Sequence, residues 1–141
     1  MTPTLIITRP EPAGGSFASR VIASLGRDIP VIYSPAFRIA WLDAVLPQTD
    51  NVIFTSQNGV VAAQRLDLPQ TATAWCVGDR TAKAATDAGF DAISAGGDAA
   101  ALLSLIQSRK PKGDLLHLGG GHSRGDIAGD LTQRGYSCAF L

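Results

Sequence analysis

The chain has 141 residues, of which 45% are apolar and 17% charged, and its formal net charge is zero. This length suits one ordinary domain with a core of its own, and the apolar content excludes an intrinsically disordered chain. The neutral charge balance argues against a nucleic-acid-binding protein, and no apolar run is long enough to span a bilayer. We therefore expect neither nucleic acid nor a membrane among its partners.

The two cysteines, Cys76 and Cys138, both lie in apolar runs. Buried, reduced thiols are the expected interpretation, in preference to a disulfide or a metal site. The first ten residues, MTPTLIITRP, have no charged lead-in and no long apolar segment. A signal peptide is therefore not expected, and the predicted location is the cytoplasm.

The first forty residues predict a strand, a helix and a second strand. Residues 4–8 form an apolar run, and Pro10 and Pro12 after it exclude a helix until about Gly14. A helix ending at Gly26 is indicated by an apolar stripe at Phe17, Val21 and Leu25. Residues 31–39 form the second apolar run, and Pro35 within it predicts an edge strand or a connector. Residues 42–49 are predicted to be a loop or a short helix.

The rest of the chain repeats one construction, in which a short apolar strand leads through a polar turn into a helix. It occurs at residues 51–64, 74–88 and 115–131. Between the second and third units, residues 91–94 predict a further strand, and Asp98 is a natural N-cap for the helix that follows. Residues 137–141 begin a last strand. Strands that alternate with helices in this way predict right-handed crossovers and a parallel sheet covered on both faces.

These turns lie where an open α/β sheet binds its ligands, at the carboxyl ends of its strands. The first N–H groups of each helix are unpaired there and the helix dipole is positive, so the edge attracts anions. The turns supply neutral polar groups and basic residues follow the strand ends. The candidate residues are Arg9, Thr55, Ser56, Asn58, Thr81, Gly120, Ser123 and Arg124, with Arg80 beside them. Together they suit a polyanionic ligand, although Ser56, Thr81 and Ser123 could equally be helix caps only.

Other kinds of site fit less well. The cluster GGGHSRG at residues 119–125 does not give the G-x-G-x-x-G spacing of a dinucleotide site. His117 lies between leucines and is interpreted as a packed histidine, whereas His122 lies in the glycine turn and could contact a ligand. No nucleophile–base pair, carboxylate pair or metal-ligand spacing is present in the sequence. No cofactor and no metal are therefore predicted.

The ordered motifs resemble those of the uroporphyrinogen-III synthase family. They are ITRP at residues 7–10, FTSQNGV at 54–60, VGDRTAKAATDAGF at 77–90, GGDAAALLSLI at 96–106, and LLHLGGG at 115–121 with a following D-x-x-x-x-L. Taken together in this order, the motifs cover essentially the whole chain. The resemblance implies a lobe with a flavodoxin-like parallel sheet sandwiched by helices, and two such lobes joined by connecting strands. By this resemblance, residues 1–30 are the first strand and helix of an incomplete first lobe, and residues 31–141 are a nearly complete second lobe.

The resemblance also implies an activity in haem and tetrapyrrole biosynthesis. The family, a class of lyase typified by HemD, closes linear hydroxymethylbilane into uroporphyrinogen III with inversion of the last pyrrole ring, and it uses no cofactor. The substrate carboxylates are held largely by backbone amides in a cleft between the lobes. Ser56 and Thr81 would line that cleft and Arg9 would reach it from the other lobe. His122 is the candidate for an acid that assists loss of the substrate hydroxyl.

Family members carry a longer second portion, so the resemblance predicts that this chain is a truncated form with weak or no activity. A lone strand and helix cannot bury their apolar faces. We therefore expect the first segment to dock either onto its own lobe or onto a second copy of the chain, as a homodimer or by a domain swap. The alternative function is a catalytically silent lobe that binds a polyanionic ligand.

Overall fold

The computed structural model describes residues 2–121 and 125–141. The chain divides into two compact units, residues 1–42 and residues 43–141.

The smaller unit contains two strands and one helix: β1 (Leu5–Ile7), α1 (Ala13–Leu25) and β2 (Val31–Tyr33). β1 and β2 pair in parallel, with Ile6 opposite Ile32. The helix starts close to the strand, because a Cβ at Gly14 would lie 2.9 Å from the Arg9 carbonyl oxygen. The helix ends at Gly26, whose φ of 62° is the left-handed conformation that glycine adopts readily at this position.

The smaller unit has little core. In its helix only Gly14 and Ala18 are buried, and Ile7 is buried in β1. The apolar stripe predicted for α1 is helical but not buried, since Phe17 is 37% and Leu25 48% exposed. The predicted strand at residues 31–39 is shorter than expected and ends at Tyr33. Because only one helix accompanies two strands, apolar side chains stay at the surface.

The larger unit alternates strands and helices throughout its described residues. Its elements are β3 (Asn51–Phe54), α2 (Gln57–Arg65), β4 (Thr73–Cys76), α3 (Asp79–Asp87), β5 (Asp91–Ser94), α4 (Ala99–Arg109), β6 (Leu115–Leu118), α5 (Ile127–Gln133) and β7 (Cys138–Phe140). The strands are parallel and lie in the order β5-β4-β3-β6-β7. Residues 43–49 contain neither helix nor strand, so this segment is the loop of the two predicted alternatives.

Helices cover both faces of this sheet. One apolar cluster joins Val52 and Phe54 of β3 with side chains from α2 and α3, such as Val60 and Ala85. The other joins Ile53 with side chains from α4 and α5. All four residues of β3 are buried, as a central strand requires. The predicted α/β fold, a parallel sheet sandwiched by helices, is therefore confirmed.

Two helices of the larger unit begin earlier than the sequence pattern indicated. α2 begins at Gln57 and α3 at Asp79, in each case before the apolar residues that indicated the helix. The predicted N-cap at Asp98 is confirmed, since its Oδ1 accepts a hydrogen bond from the Ala101 N–H at 3.0 Å.

No helix in the described part of the chain is long and apolar enough to cross a membrane. The domain division at residue 30 stays a prediction.

Candidate functional site

The carboxyl edge of the larger sheet brings the three predicted turns together. β3 lies at the centre, with β4 on one side and β6 on the other. The chain winds from β3 toward β5 and then returns to the other side of β3, so the winding direction reverses between β3 and β6. Ligands of open α/β folds bind outside the strand ends at such a reversal. The turns after β3, β4 and β6 all meet this edge.

The turn after β3 presents an open helix N-terminus. Ser56 is the N-cap residue of α2, but its side chain makes no capping hydrogen bond, and the first turn of α2 carries no acidic residue. Ser56, Gln57 and Asn58 are all exposed. The backbone N–H groups of Gln57 and Asn58 lie in the first turn of α2, where no preceding helical carbonyl can accept a hydrogen bond from them. This terminus therefore combines donors with the positive end of the helix dipole.

At the turn after β4, a carboxylate partly neutralises the positive end of the α3 dipole. Its N-cap is Gly78, which has no side chain to cap α3, but Asp79 puts a carboxylate in the first turn. Ser94 Oγ donates to Asp79 Oδ1 at 2.6 Å and accepts from the Gly96 N–H at 3.0 Å, so the carboxylate is held in place. Thr81 is buried and its N–H donates to the Gly78 carbonyl. The Thr81 side chain is therefore enclosed by the fold.

The turn after β6 leads into a helix that is capped by its own chain. Asp126 is the N-cap of α5, and its Oδ1 accepts from the Gly129 N–H at 2.8 Å. A carboxylate thus occupies this terminus, which the sequence reasoning missed although Asp126 directly precedes the apolar residue Ile127. Gly120 is exposed at the start of the turn. The predicted contacts Ser123 and Arg124 and the candidate acid His122 lie outside the described residues.

The α2 terminus is packed tightly against both neighbouring turns. A Cβ at Gly59 would lie 2.8 Å from the Leu118 carbonyl oxygen at the end of β6, so this position requires glycine for the close approach. On the other side, Gln57 Nε2 donates to the Arg80 carbonyl oxygen at 3.5 Å. The open helix N-terminus is therefore held in the middle of the edge by the backbone on each side.

Two polar side chains, Thr55 and His117, contact each other near the carboxyl ends of β3 and β6. His117 is 2% exposed in β6, and its Nε2 lies 3.5 Å from Thr55 Oγ1, just beyond the end of β3. The ring of Phe140 packs against the imidazole with 5.1 Å between ring centroids. Burial lowers the pKa of His117, and the nearby Asp126 carboxylate opposes that shift by a smaller amount. The imidazole is therefore neutral near pH 7.

The expectation that His117 is a packed histidine agrees with its burial. Its pairing with Thr55 was not foreseen, because it depends on the strand register that places Ile53 opposite His117. In that register Thr55 follows two residues after Ile53 and lies on the same face of the sheet. No sequence signal fixes the register of two parallel strands separated by sixty residues.

The remaining candidates are Arg9 and the two cysteines. Arg9 lies in the smaller unit, two residues after β1, and is exposed. Both cysteines are free; Cys76 is buried as predicted, whereas Cys138 is only half-buried. Burial raises the pKa of each thiol to about 11, with the Asp126 carboxylate adding to the shift at Cys138 and a backbone hydrogen bond from His117 opposing it. Among the described residues, no group of three or more potential ligand side chains could hold a metal ion.

The opposite edge of the sheet carries a depression of about 440 Å³, lined by Gln64, Asp67, Leu68, Pro69, Gln70 and Phe90. It brings no open helix N-terminus and no basic side chain together. Its lining offers amide and carboxylate oxygens instead, so it does not suit the anion predicted from the sequence.

Comparison with known proteins identifies the family. The family model described as uroporphyrinogen-III synthase HemD matches residues 22–139, which is most of the chain. A search of curated proteins found no match. The match includes all three strand–turn–helix units and the whole of the edge described above. The chain therefore belongs to the uroporphyrinogen-III synthase HemD family.

Proposed function

We propose that this protein is a uroporphyrinogen-III synthase that acts on hydroxymethylbilane. The reaction removes the terminal hydroxyl group of the linear tetrapyrrole as water and closes the ring with the last pyrrole inverted. The spiro route to this product, by which the family achieves the inversion, needs no metal or organic cofactor. The proposal places the protein in haem biosynthesis, as a lyase of the cytoplasm.

The observation that carries the proposal is the open N-terminus of α2 at the winding reversal. It has no side-chain cap and no acidic residue in its first turn, whereas Asp126 caps α5 and Asp79 lies in the first turn of α3. Hydroxymethylbilane carries several carboxylates, which such a terminus binds through its amides and its dipole. One open terminus among three suits a single substrate carboxylate as an anchor.

Anchoring a flexible linear substrate is the main work in such a reaction. Ring closure needs the two ends of the chain to meet in one conformation, and holding them together lowers the entropic part of the barrier. Uncatalysed closure gives the isomer without inversion, so the protein must favour attack at the substituted carbon. By the family resemblance, Ser56, Thr81 and Arg9 are further proposed contacts to the substrate. Asn58, Gly120, Ser123 and Arg124 are proposed from their places in the polar turns that follow the strands.

The test is to measure uroporphyrinogen III against isomer I from hydroxymethylbilane, with wild-type protein and with Asn58→Asp. A carboxylate at the second residue of α2 repels the substrate anion, so we expect KM to rise roughly three- to tenfold. The same change stabilises the helix by about 0.3–1 kcal/mol, because an acid complements the dipole. Stability and KM therefore both rise, which a folding defect would not produce.

The matched control is Ala100→Asp. Ala100 is the second residue of α4, is exposed, and follows the N-cap Asp98, which already occupies that terminus. We expect its KM to equal the wild-type value. Formation of isomer I alone by the wild-type protein would exclude the synthase activity. If the protein then still bound uroporphyrin, the alternative of a silent lobe that binds a polyanion would be favoured.

We also propose that the smaller unit associates with a second copy of the chain. Ile6 is 60% and Ile32 53% exposed, and they lie opposite each other in the paired strands. Parallel strands are normally covered on both faces, and with zero net charge no long-range repulsion opposes self-association. Light scattering after size-exclusion chromatography should give a dimer, and Ile32→Lys should give a monomer. A wild-type monomer at high concentration would exclude this association.

A further inference from the structure

The contact between Thr55 and His117 is not explained by packing alone. The buried polar or charged residues among those described are Asn51, Thr81 and His117. Asn51 is satisfied within the core, since its Oδ1 accepts from Trp75 Nε1 at 3.0 Å and its Nδ2 donates to the Lys112 carbonyl at 2.8 Å. The side chain of His117 instead contacts the Thr55 hydroxyl, at the carboxyl edge of the sheet.

The surroundings fix the orientation of the imidazole. Phe140 packs against one side of the ring, and β7 is tied to β6 by the Leu141 N–H donating to the His117 carbonyl at 3.0 Å. Gly119 leaves room above, since a Cβ there would lie 2.9 Å from Phe140 Cε2 and 3.3 Å from His117 Nε2. Nε2 therefore faces the strand ends, which is the direction of Thr55.

Thr55 contacts the buried ring through its hydroxyl and adjoins the open helix terminus along the chain. Thr55 is half-buried and immediately precedes Ser56, the N-cap of α2. A hydroxyl has one proton to donate, and an anion at the α2 terminus can be bound by that proton only if the imidazole does not receive it. A neutral imidazole with its proton on Nε2 meets this condition, because it donates to Oγ1. The distance between Nε2 and Oγ1 is 3.5 Å, at the long end of the range for a hydrogen bond.

We propose that His117 is a positioning residue that donates its Nε2–H to Thr55 Oγ1, so that the Thr55 hydroxyl gives its own proton to a substrate carboxylate at the α2 terminus. The inference rests on the proposed function and deepens it by naming a buried residue that acts through a contact residue. It predicts that Thr55 and His117 work as one unit.

A double-mutant cycle tests this coupling. Thr55→Val and His117→Leu remove the hydroxyl and the ring donor, and each should raise KM about tenfold, the loss of one hydrogen bond to a charged group, with kcat within about twofold. The double variant should be no worse than either single variant, because each change already breaks the same unit. Thr55→Ser and His117→Gln keep a hydroxyl and an N–H donor, and both should restore most of the wild-type KM.

Two controls separate positioning from folding. Thr132→Val removes a hydroxyl that donates to the Ala128 carbonyl at 2.8 Å and lies 3.4 Å from the Cys138 carbonyl oxygen, and it should leave KM unchanged. Nitrogen-15 NMR of the histidine rings reports the tautomer without any substrate, and we expect the His117 proton on Nε2. A proton on Nδ1, or effects of Thr55→Val and His117→Leu that add in full, would overturn the inference while the synthase activity stands.

The outcome for the wild type separates this inference from the proposed function. If the wild-type protein forms uroporphyrinogen III but Thr55→Val keeps the wild-type KM, only the inference fails. If the wild-type protein forms no isomer III and binds no uroporphyrin in a fluorescence titration, the proposed function fails, and the substrate contact inferred for Thr55 fails with it.

Discussion

The two units of this chain bury their apolar side chains to different extents. In the larger unit, β3 is buried along its whole length and helices cover both faces of the sheet. In the smaller unit, two strands share one helix, and Ile6, Ile32 and Tyr33 are each more than half exposed. Both units are built from apolar strands followed by a helix. The same strand–helix pattern therefore does not by itself determine how much apolar surface a unit buries.

The largest expected difference between the units is in the cost of removing an apolar side chain. Leu102 is fully buried in the cluster beside α4, whereas Ile32 is 53% exposed. Leu102→Ala should lower the free energy of unfolding by about 2–5 kcal/mol because it leaves a cavity. Ile32→Ala should change it by less than about 0.5 kcal/mol. Urea unfolding at low protein concentration measures both, and a large loss for Ile32→Ala would show that a partner covers this strand.

A smaller effect is expected at alkaline pH and only in the larger unit, which contains both cysteines. The Cys76 thiol has a pKa of about 11 in the fold, above the ordinary value of 9.0. The unfolded chain therefore loses this proton first, so stability falls as the pH rises from about 9 toward 11. For Cys76 the total loss is on the order of 2 kcal/mol.

Thermal or urea unfolding between pH 8 and 11 measures this loss for wild type and for Cys76→Ala. The variant keeps Cys138 and every tyrosine and lysine, so the difference in slope belongs to Cys76. Equal slopes for the two proteins would show that the thiol titrates normally in the fold.

The smallest effect is expected at acidic pH, from His117. Burial lowers its pKa in the fold below the ordinary value of 6.5. As the pH falls below about 6.5, the unfolded chain takes up the proton first, so stability present at neutral pH is lost progressively. His117→Gln should flatten this part of the profile. Since both histidines lie in the larger unit, β1 and β2 should keep their stability across the same pH range. Hydrogen exchange at pH 5 and 7 measures the two units separately.

The sequence predicted most elements of the larger unit because their signals are local. Short apolar runs such as residues 52–54 fix buried strands, and Asp98 fixes a helix start through one capping bond. It predicted the smaller unit less well. The stripe at Phe17 and Leu25 correctly indicated a helix, but it could not show that nothing buries those side chains. Burial depends on what else packs there, which periodicity does not encode.

The candidate site was predicted in part. That the turns after β3, β4 and β6 share one edge follows from parallel winding, which the alternation of strands and helices determines. Which of the three helix termini stays open was not predictable. It depends on whether Asp79 and Asp126 place their carboxylates on the helix ends, a matter of side-chain geometry within each turn.

By itself the sequence determined the α/β class, the parallel winding and the family, because these follow from apolar runs, turn residues and the order of motifs along the chain. The tertiary structure alone decided that His117 meets Thr55 and that the α2 terminus is the open one. The physical reason is distance along the chain. Residues sixty positions apart become neighbours only through the register of β3 and β6, which the packing of the whole sheet selects.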